Sequence, residues 1–149
     1  EAAFERVQAA VTAARGLRSE AELPPSQTAE VWVAGPGAAS LLEHRALIEP
    51  LARVALREGT PEGSALVGAL PDVELRLPLA GQVDVAAYAA RQRKRLEQAR
   101  ADAERSRRKL ANEGFVKGAP AEVVAEERRR LEEAEALAAR LERVLADIA

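Results

Sequence analysis

The sequence of 149 residues has no cysteine, no methionine and one histidine, His44. The absence of cysteine excludes disulfides and thiolate metal sites, and it favours a reducing, cytoplasmic location. A single histidine excludes multi-histidine metal sites, so we expect no metal in this chain. No apolar run approaches the ~18 residues that a membrane helix needs, and no membrane partner is expected. Because native chains start with methionine, we expect Glu1 to be an interior residue of a longer protein.

Net charge is low and unevenly distributed. The formal net charge is -2, but residues 1–83 carry 7 basic and 11 acidic side chains, whereas residues 84–149 carry 15 and 13. This balance excludes a strongly basic nucleic-acid-binding protein at the level of the whole chain, although not a local basic patch. The shift in composition near Asp84 predicts a domain boundary, and Pro24-Pro25 cannot continue a helix. The predicted segments are therefore 1–19, 20–83 and 84–149.

The first two segments predict an α+β domain preceded by a helix. Residues 1–19 place Phe4 and Val7 at helical spacing, and a second helix over 38–51 is expected to bury Leu41 and Leu47. From Thr28 the apolar period changes to two, which is typical of strands. The predicted strands cover 30–33, 53–58, 64–70 and 72–79. We expect them to form a small mixed or antiparallel sheet with one packed helix.

Residues 84–149 predict a long antiparallel two-helix coiled-coil hairpin. Apolar and small residues alternate steps of three and four along both halves, as a coiled coil requires. At ~1.5 Å per residue, helices of about 28 residues extend on the order of 40 Å, so we expect a projecting arm. Gly114 is expected in the left-handed conformation after the first helix, and Pro120 in the first turn of the second. The predicted seam residues are Ala89, Gln92, Leu96, Ala99, Ala103, Ser106 and Leu110, and then Val124, Glu127, Leu131, Ala134, Ala138, Leu141, Leu145 and Ile148.

Charged residues flank this seam. The predicted facing residues are Arg93 with Glu142, Arg100 with Glu135, and two pairs of like charge, Arg107 with Arg128 and Lys109 with Arg130. From Glu104 to Arg130, eight basic residues stand against five acidic ones. Unneutralised basic charge beside the apolar Leu137 suits a nucleic-acid backbone with a stacked base. A solvated helix face is the alternative interpretation.

No arrangement of residues predicts catalysis. Gly35-Pro36-Gly37 precedes a helix but lacks the lysine of a phosphate-binding loop. Carboxylate pairs such as Glu132-Glu133 lie on helix surfaces without a cleft, and Trp32 is expected to anchor the sheet. We therefore expect that this chain is not an enzyme by itself.

The segment 110–134, LANEGFVKGAPAEVVAEERRRLEEA, carries a specific motif. Its turn at 112–116 is followed by APAEVV at 119–124, and this stretch resembles the C-terminal hairpin of bacterial valyl-tRNA synthetases. Two further stretches resemble that family in the same order. LPLAGQVD at 77–84 is similar to the segment that leads into the arm, and RGLRSEAELPPS at 15–26 is similar to the end of the helical anticodon-binding domain.

The resemblance implies a fragment of an ATP-dependent ligase that joins valine to its tRNA, without the catalytic and editing domains. It implies that residues 1–19 are the last helix of the anticodon-binding domain, and that the arm holds the outer corner of tRNA(Val), where the D and T loops meet. ATP then serves the whole enzyme and not this chain. The implied partner is tRNA and not DNA, and the fragment is expected to be monomeric.

Charge pattern and resemblance together predict the contacts with tRNA. The predicted set is Arg105, Arg108, Lys109, Arg129, Arg130 and Leu137. Four phosphate contacts predict a slope of log affinity against log salt of order -3. A structural interpretation stays open beside this one, in which the coiled coil is an inter-subunit or intramolecular brace with a solvated basic end.

Overall fold

The computed structural model describes residues 2–148. The chain divides into two compact units, unit 1 with residues 1–85 and unit 2 with residues 86–149. The predicted α+β class is confirmed, because unit 1 contains a four-stranded mixed sheet and helices. No helix in the described part of the chain is long and apolar enough to span a bilayer.

Unit 1 has seven elements. They are α1 (Ala2–Ala21), β1 (Ala29–Ala34), α2 (Ala38–Leu42), α3 (Arg45–Ala52), β2 (Val54–Glu58), β3 (Ala65–Leu70) and β4 (Val73–Pro78). The sheet has the order β2-β1-β4-β3, in which β1 is parallel to β2 and antiparallel to β4. β3 and β4 form an antiparallel hairpin, since Leu70 pairs with Val73.

Alternating apolar residues on the central strands build the core of unit 1. Val31 and Val33 on β1 and Leu75 and Leu77 on β4 are buried, because successive strand residues point to opposite faces of the sheet. α1 packs on β3 and β4, whereas α2 and α3 pack on β2. The sheet therefore carries more than the one packed helix that was predicted.

Phe4 is exposed although it shares its spacing with the buried Val7. The sequence expectation for the second helix is wrong. The single helix over 38–51 is two helices, with His44 preceding α3, and Leu47 is exposed while Ile48 is buried. Because Leu41 and Ile48 are seven residues apart, an unbroken helix would also place both on one face, so apolar spacing does not reveal the break.

Unit 2 consists of α4 (Val85–Ala111, which begins one residue before the unit), α5 (Glu113–Gly118) and α6 (Ala121–Ile148). α4 and α6 pack against each other through a cluster of Leu96, Ala99, Ala138 and Leu141. All the predicted seam residues of α4 are buried except Leu110, which is half-buried, and those of α6 are buried or half-buried. The sequence therefore predicted the packed face of both helices.

The connection between α4 and α6 differs from the predicted tight turn. Asn112 precedes α5, and its side chain accepts a hydrogen bond from Phe115 N at 3.2 Å. Gly114 lies inside α5 and does not have a positive φ, so its predicted left-handed conformation is wrong. Asn112 has an extended backbone and caps a new helix, which removes the need for a glycine there. Pro120 directly precedes α6, and its carbonyl accepts from Val124 N at 3.2 Å.

Candidate nucleic-acid interface

An open cleft in unit 2 brings together four of the six residues predicted to contact RNA. Arg105 and Lys109 on α4 and Arg130 and Leu137 on α6 all line this cleft, the Leu137 cleft, which has a volume of about 390 Å³. The other lining residues are Asp102, Ser106, Glu127, Glu133 and Ala134. Helical spacing explains the arrangement, because residues three, four and seven apart share one face of a helix. The lining contains three cations and three carboxylates, so it is formally neutral.

Glu127 is the buried carboxylate of this cleft, with 5% of its surface exposed. Its Oε2 accepts a hydrogen bond from Ser106 Oγ at 3.0 Å, and its Oε1 lies 3.0 Å from Lys109 Nζ. The hydrogen bond from Lys109 is the main cause that lowers the pKa of Glu127, and it outweighs the opposing effect of burial. The sequence predicted uncompensated positive charge where Lys109 faces Arg130. This prediction is wrong for Lys109, because Glu127 neutralises it.

Three further predicted contact residues pair with a carboxylate one turn away on their own helix. The pairs are Arg105–Asp102 at 3.3 Å, Arg108–Glu104 at 3.2 Å and Arg130–Glu126 at 3.7 Å. The expectation of unneutralised cations is therefore wrong for these residues, since an acid three or four positions away lies on the same helix face. Pairs of this exposed kind contribute little stability and are screened by salt, so a competing anion can replace the carboxylate.

Arg129 is held more firmly and lies outside the Leu137 cleft, as Arg108 does. It contacts Glu126 on one side and, at 2.7 Å, Glu133 on the other. The hydrogen bond with Glu126 is the main cause that raises the pKa of Arg129, and it lowers the pKa of Glu126. Of the predicted contacts, Arg129 is thus the one least available to a ligand.

The predicted flanking ion pairs have the wrong partners. Arg100 pairs with Glu142 at 3.1 Å, and Arg107 pairs with Glu135 at 2.9 Å and with Glu104 at 3.6 Å. The sequence predicted Glu142 as the partner of Arg93 and Glu135 as the partner of Arg100. In the structure each glutamate pairs with the arginine seven residues later on α4. The seam residues are short or compact, whereas arginine reaches along the helix, so apolar spacing does not determine this choice.

A surplus of positive charge nevertheless remains in this part of unit 2. Eight basic and five acidic residues lie between Glu104 and Arg130. Arg128 is exposed and pairs with no carboxylate in the part of the chain that the structure describes. Internal pairing therefore reduces the positive potential of this surface but does not remove it.

Sequence reasoning missed a partly apolar cleft beside the first one. Phe115, Pro120 and Val123 line it, together with two cations, Lys109 and Arg130, and three carboxylates, Glu122, Glu126 and Glu127, and its volume is about 380 Å³. Val123 is 46% exposed. The signal was present in the turn motif, whose apolar residues have no place in the predicted seam. The apolar side chains offer a surface on which a nucleobase can pack, although the three carboxylates of the lining outnumber its two cations.

Comparison with known proteins shows which class of protein contains a helical unit like unit 2. Residues 84–149 match the family described as the valyl tRNA synthetase tRNA binding arm. The class to which unit 2 belongs is therefore that of the helical arms of aminoacyl-tRNA synthetases.

Similar full-length proteins share the name valine–tRNA ligase. The chain is 47% identical over 124 residues to a protein of Thermus thermophilus, a match that covers 83% of the chain and 14% of that protein. It is 40% identical to the protein of Deinococcus radiodurans, with 82% and 13% covered, and 38% identical to that of Mesorhizobium japonicum, with 76% and 13% covered. The chain belongs to the valyl-tRNA synthetase family and spans about one seventh of the length of these relatives.

The matched region is a small part of the complete ligases. The family match covers residues 84–149, and the chain aligns with 14% of the length of a valine–tRNA ligase. The expectation that this part has no catalytic activity of its own is consistent with that share and stays a prediction.

Proposed function

We propose that this chain is the C-terminal tRNA-binding module of a valyl-tRNA synthetase and that unit 2 holds the outer corner of tRNA(Val). The observation that carries the proposal is the match of residues 84–149 to the tRNA binding arm. The complete enzyme joins valine to tRNA(Val) with ATP in the cytoplasm, and this chain, a monomer that does not bind DNA, needs no cofactor of its own. Residues 1–19 complete the anticodon-binding domain, and residues 20–83 form a small domain between it and the arm.

The packing of unit 2 supports an antiparallel coiled coil. The contacts between α4 and α6 fall to lower numbers on α6 as they rise on α4, as in Arg100 with Glu142 and Arg107 with Glu135. Small residues such as Ala99 in the buried seam let two helices approach closely. A coiled coil of this kind is a stiff support, which suits a surface that must keep its shape against a folded RNA.

The chemistry of the Leu137 cleft supports phosphate binding by exchange of partners. Arg105 and Arg130 are exposed, and their pairs at 3.3 and 3.7 Å are long for charge-assisted hydrogen bonds. A phosphate offers several acceptor oxygens in place of one carboxylate, and its binding releases counterions from the RNA. Leu137 in this cleft, and Phe115 in the second cleft, then provide apolar surfaces for unstacked bases of the tRNA elbow.

Charge reversal in the cleft tests this proposal. We expect the double variant Arg105→Glu and Arg130→Glu to weaken binding of tRNA(Val) and to flatten its salt dependence. The wild-type slope is expected near -3, and the loss of two phosphate contacts removes about 1.4 to 1.8 of it. Filter binding over a range of salt concentrations measures both quantities.

A matched control separates the cleft from net charge. Arg140→Glu with Arg143→Glu makes the same change in charge on exposed positions of α6 outside the cleft, and we expect a smaller effect on the slope. Circular dichroism checks that both double variants remain folded. If the two double variants bind tRNA equally well, or if the wild-type chain does not bind it, the assignment of the cleft is wrong.

A further inference from the structure

Unit 1 contains a second charged cleft that no element of the proposed function uses. Arg15 and Arg18 near the end of α1 and Arg53 after α3 line it, and its volume is about 350 Å³. We call it the triple-arginine cleft. The remaining lining residues are Ser19, Leu23, Pro25, Leu51 and Ala52, so the lining contains no acidic side chain.

All three guanidinium groups donate to backbone carbonyls. Arg15 donates from Nε and Nη2 to Leu51 O at 3.1 and 2.8 Å, and Arg53 donates from Nη1 to Pro25 O at 2.6 Å. Arg18 donates to the carbonyl oxygens of Pro24, Gln27 and Arg53. None of the three pairs with a carboxylate among residues 2–148. A carbonyl satisfies an N–H group but carries no net charge, so three positive charges remain uncompensated.

The concentration of charge is local. Residues 1–83 have an excess of four acidic side chains, 11 against 7. Burial and the nearby charge of Arg53 both lower the pKa of Arg18, with burial as the larger cause. A group of like charges in an otherwise acidic unit is costly unless an anion offsets it.

We propose that the triple-arginine cleft binds a phosphate group of an RNA backbone. Arg15 and Arg53 are exposed and present planar donors that match phosphate oxygens. Arg18 is buried and joins the loop after α1, through the carbonyls of Pro24 and Gln27, to the end of α3, through the carbonyl of Arg53, so it acts as a positioning residue. The choice of RNA over free phosphate rests on the proposed function. The ligand chemistry itself, a phosphate, rests on the cleft alone.

Salt dependence of tRNA binding tests the cleft in the intact chain. We expect Arg15→Gln with Arg53→Gln to reduce the slope of log affinity against log salt by about 0.7 to 0.9 for each lost contact. The matched control is Arg57→Gln with Arg76→Gln, which removes the same charge from unit 1 at residues that already pair with carboxylates. We expect this control to keep nearly the wild-type slope, and thermal unfolding checks that both variants fold.

Inorganic phosphate provides a second probe, observed through the Nε–H resonances of Arg15 and Arg53 in an NMR titration. A reduced slope together with shifts of these resonances supports the proposal. A wild-type slope in the cleft variant overturns it, while the proposed function stands if the Arg105 and Arg130 variant still loses affinity. If the wild-type chain binds no tRNA, the proposed function fails by itself. Phosphate shifts would then indicate a site for free phosphate and overturn the choice of RNA, and their absence would overturn the site.

Discussion

Arginine side chains have different partners in the two clefts. In the triple-arginine cleft of unit 1, Arg15 and Arg18 donate to backbone carbonyls, whereas in the Leu137 cleft of unit 2, Arg105 and Arg130 pair with carboxylates. The backbone explains the difference. Within the long helices of unit 2 most carbonyls accept intrahelical hydrogen bonds, whereas carbonyls at helix ends and in the loop after α1 can accept a hydrogen bond from a side chain. The more acidic unit therefore contains the less neutralised group of cations.

The comparison also predicts how each unit responds to its surroundings. Hydrogen bonds from arginine to a carbonyl contain no group that titrates in the acid range, whereas ion pairs with glutamate are lost when the glutamate is protonated. The three predictions below separate these two kinds of bond, from the largest expected effect to the smallest.

Replacement of Arg18 should have the largest effect. We expect Arg18→Leu to lower the free energy of unfolding of unit 1 by about 3 kcal/mol, because it removes three hydrogen bonds that the buried guanidinium group donates to backbone carbonyls. Urea unfolding can be followed by the fluorescence of Trp32, the single tryptophan of the chain, on β1. Arg45→Leu is the control, since Arg45 makes one bond of 3.3 Å, to Leu56 O, and we expect a loss below about 1 kcal/mol. Equal losses in the two variants would contradict the argument.

Acid should act on unit 2 through Glu127. A carboxyl whose pKa is lowered on folding contributes stability that is present above its unfolded pKa and is lost as the pH falls through the folded value. The pKa of Glu127 lies below its usual value of 4.5. We therefore expect Glu127→Gln to lower the melting temperature at about pH 7, and the gap from the wild type to narrow as the pH falls below 4.5. Thermal unfolding by circular dichroism measures the gap, and a constant gap would argue against the Lys109 pair.

Removal of an exposed pair should have the smallest effect. Arg129→Gln loses contacts with Glu126 and Glu133, yet all three side chains are exposed or partly exposed, so we expect a small fall in melting temperature that high salt abolishes. Arg128 is at the preceding position and has no carboxylate partner among the described residues, so we expect Arg128→Gln to leave the melting temperature unchanged. A large loss for Arg129→Gln that persists in high salt would mean that the exposed pairs of unit 2 are structural.

The sequence predicted best those features that repeat. The seam positions of α4 and α6, from Ala89 to Leu141, follow from steps of three and four, and the strands of unit 1 follow from a period of two. The residues of the Leu137 cleft were found for the same reason, because Arg105 with Lys109 and Arg130 with Leu137 share helix faces. Their role in binding stays a prediction.

Features that depend on a choice among neighbours could not be predicted. Arg107 reaches Glu135 and not the residue assigned to it, because a long side chain can select among several acids near the seam. Arg15, Arg18 and Arg53 meet only through the packing of α1 on α3, which no local pattern encodes. The order of the strands in the sheet could not be predicted either, because it also depends on tertiary packing and not on a local pattern.

The buried carboxylate of Glu127 also determines how α4 and α6 align along their length. Its partner across the helices is Ser106. A sliding movement of seven residues in one direction would replace that serine by Ala99, which lacks a side-chain donor, and in the other direction it would pass the end of α4 at Ala111. Apolar layers of alanine and leucine tolerate such a movement, since one small side chain resembles the next. One acidic residue thus makes a single alignment of two otherwise repetitive helices favourable.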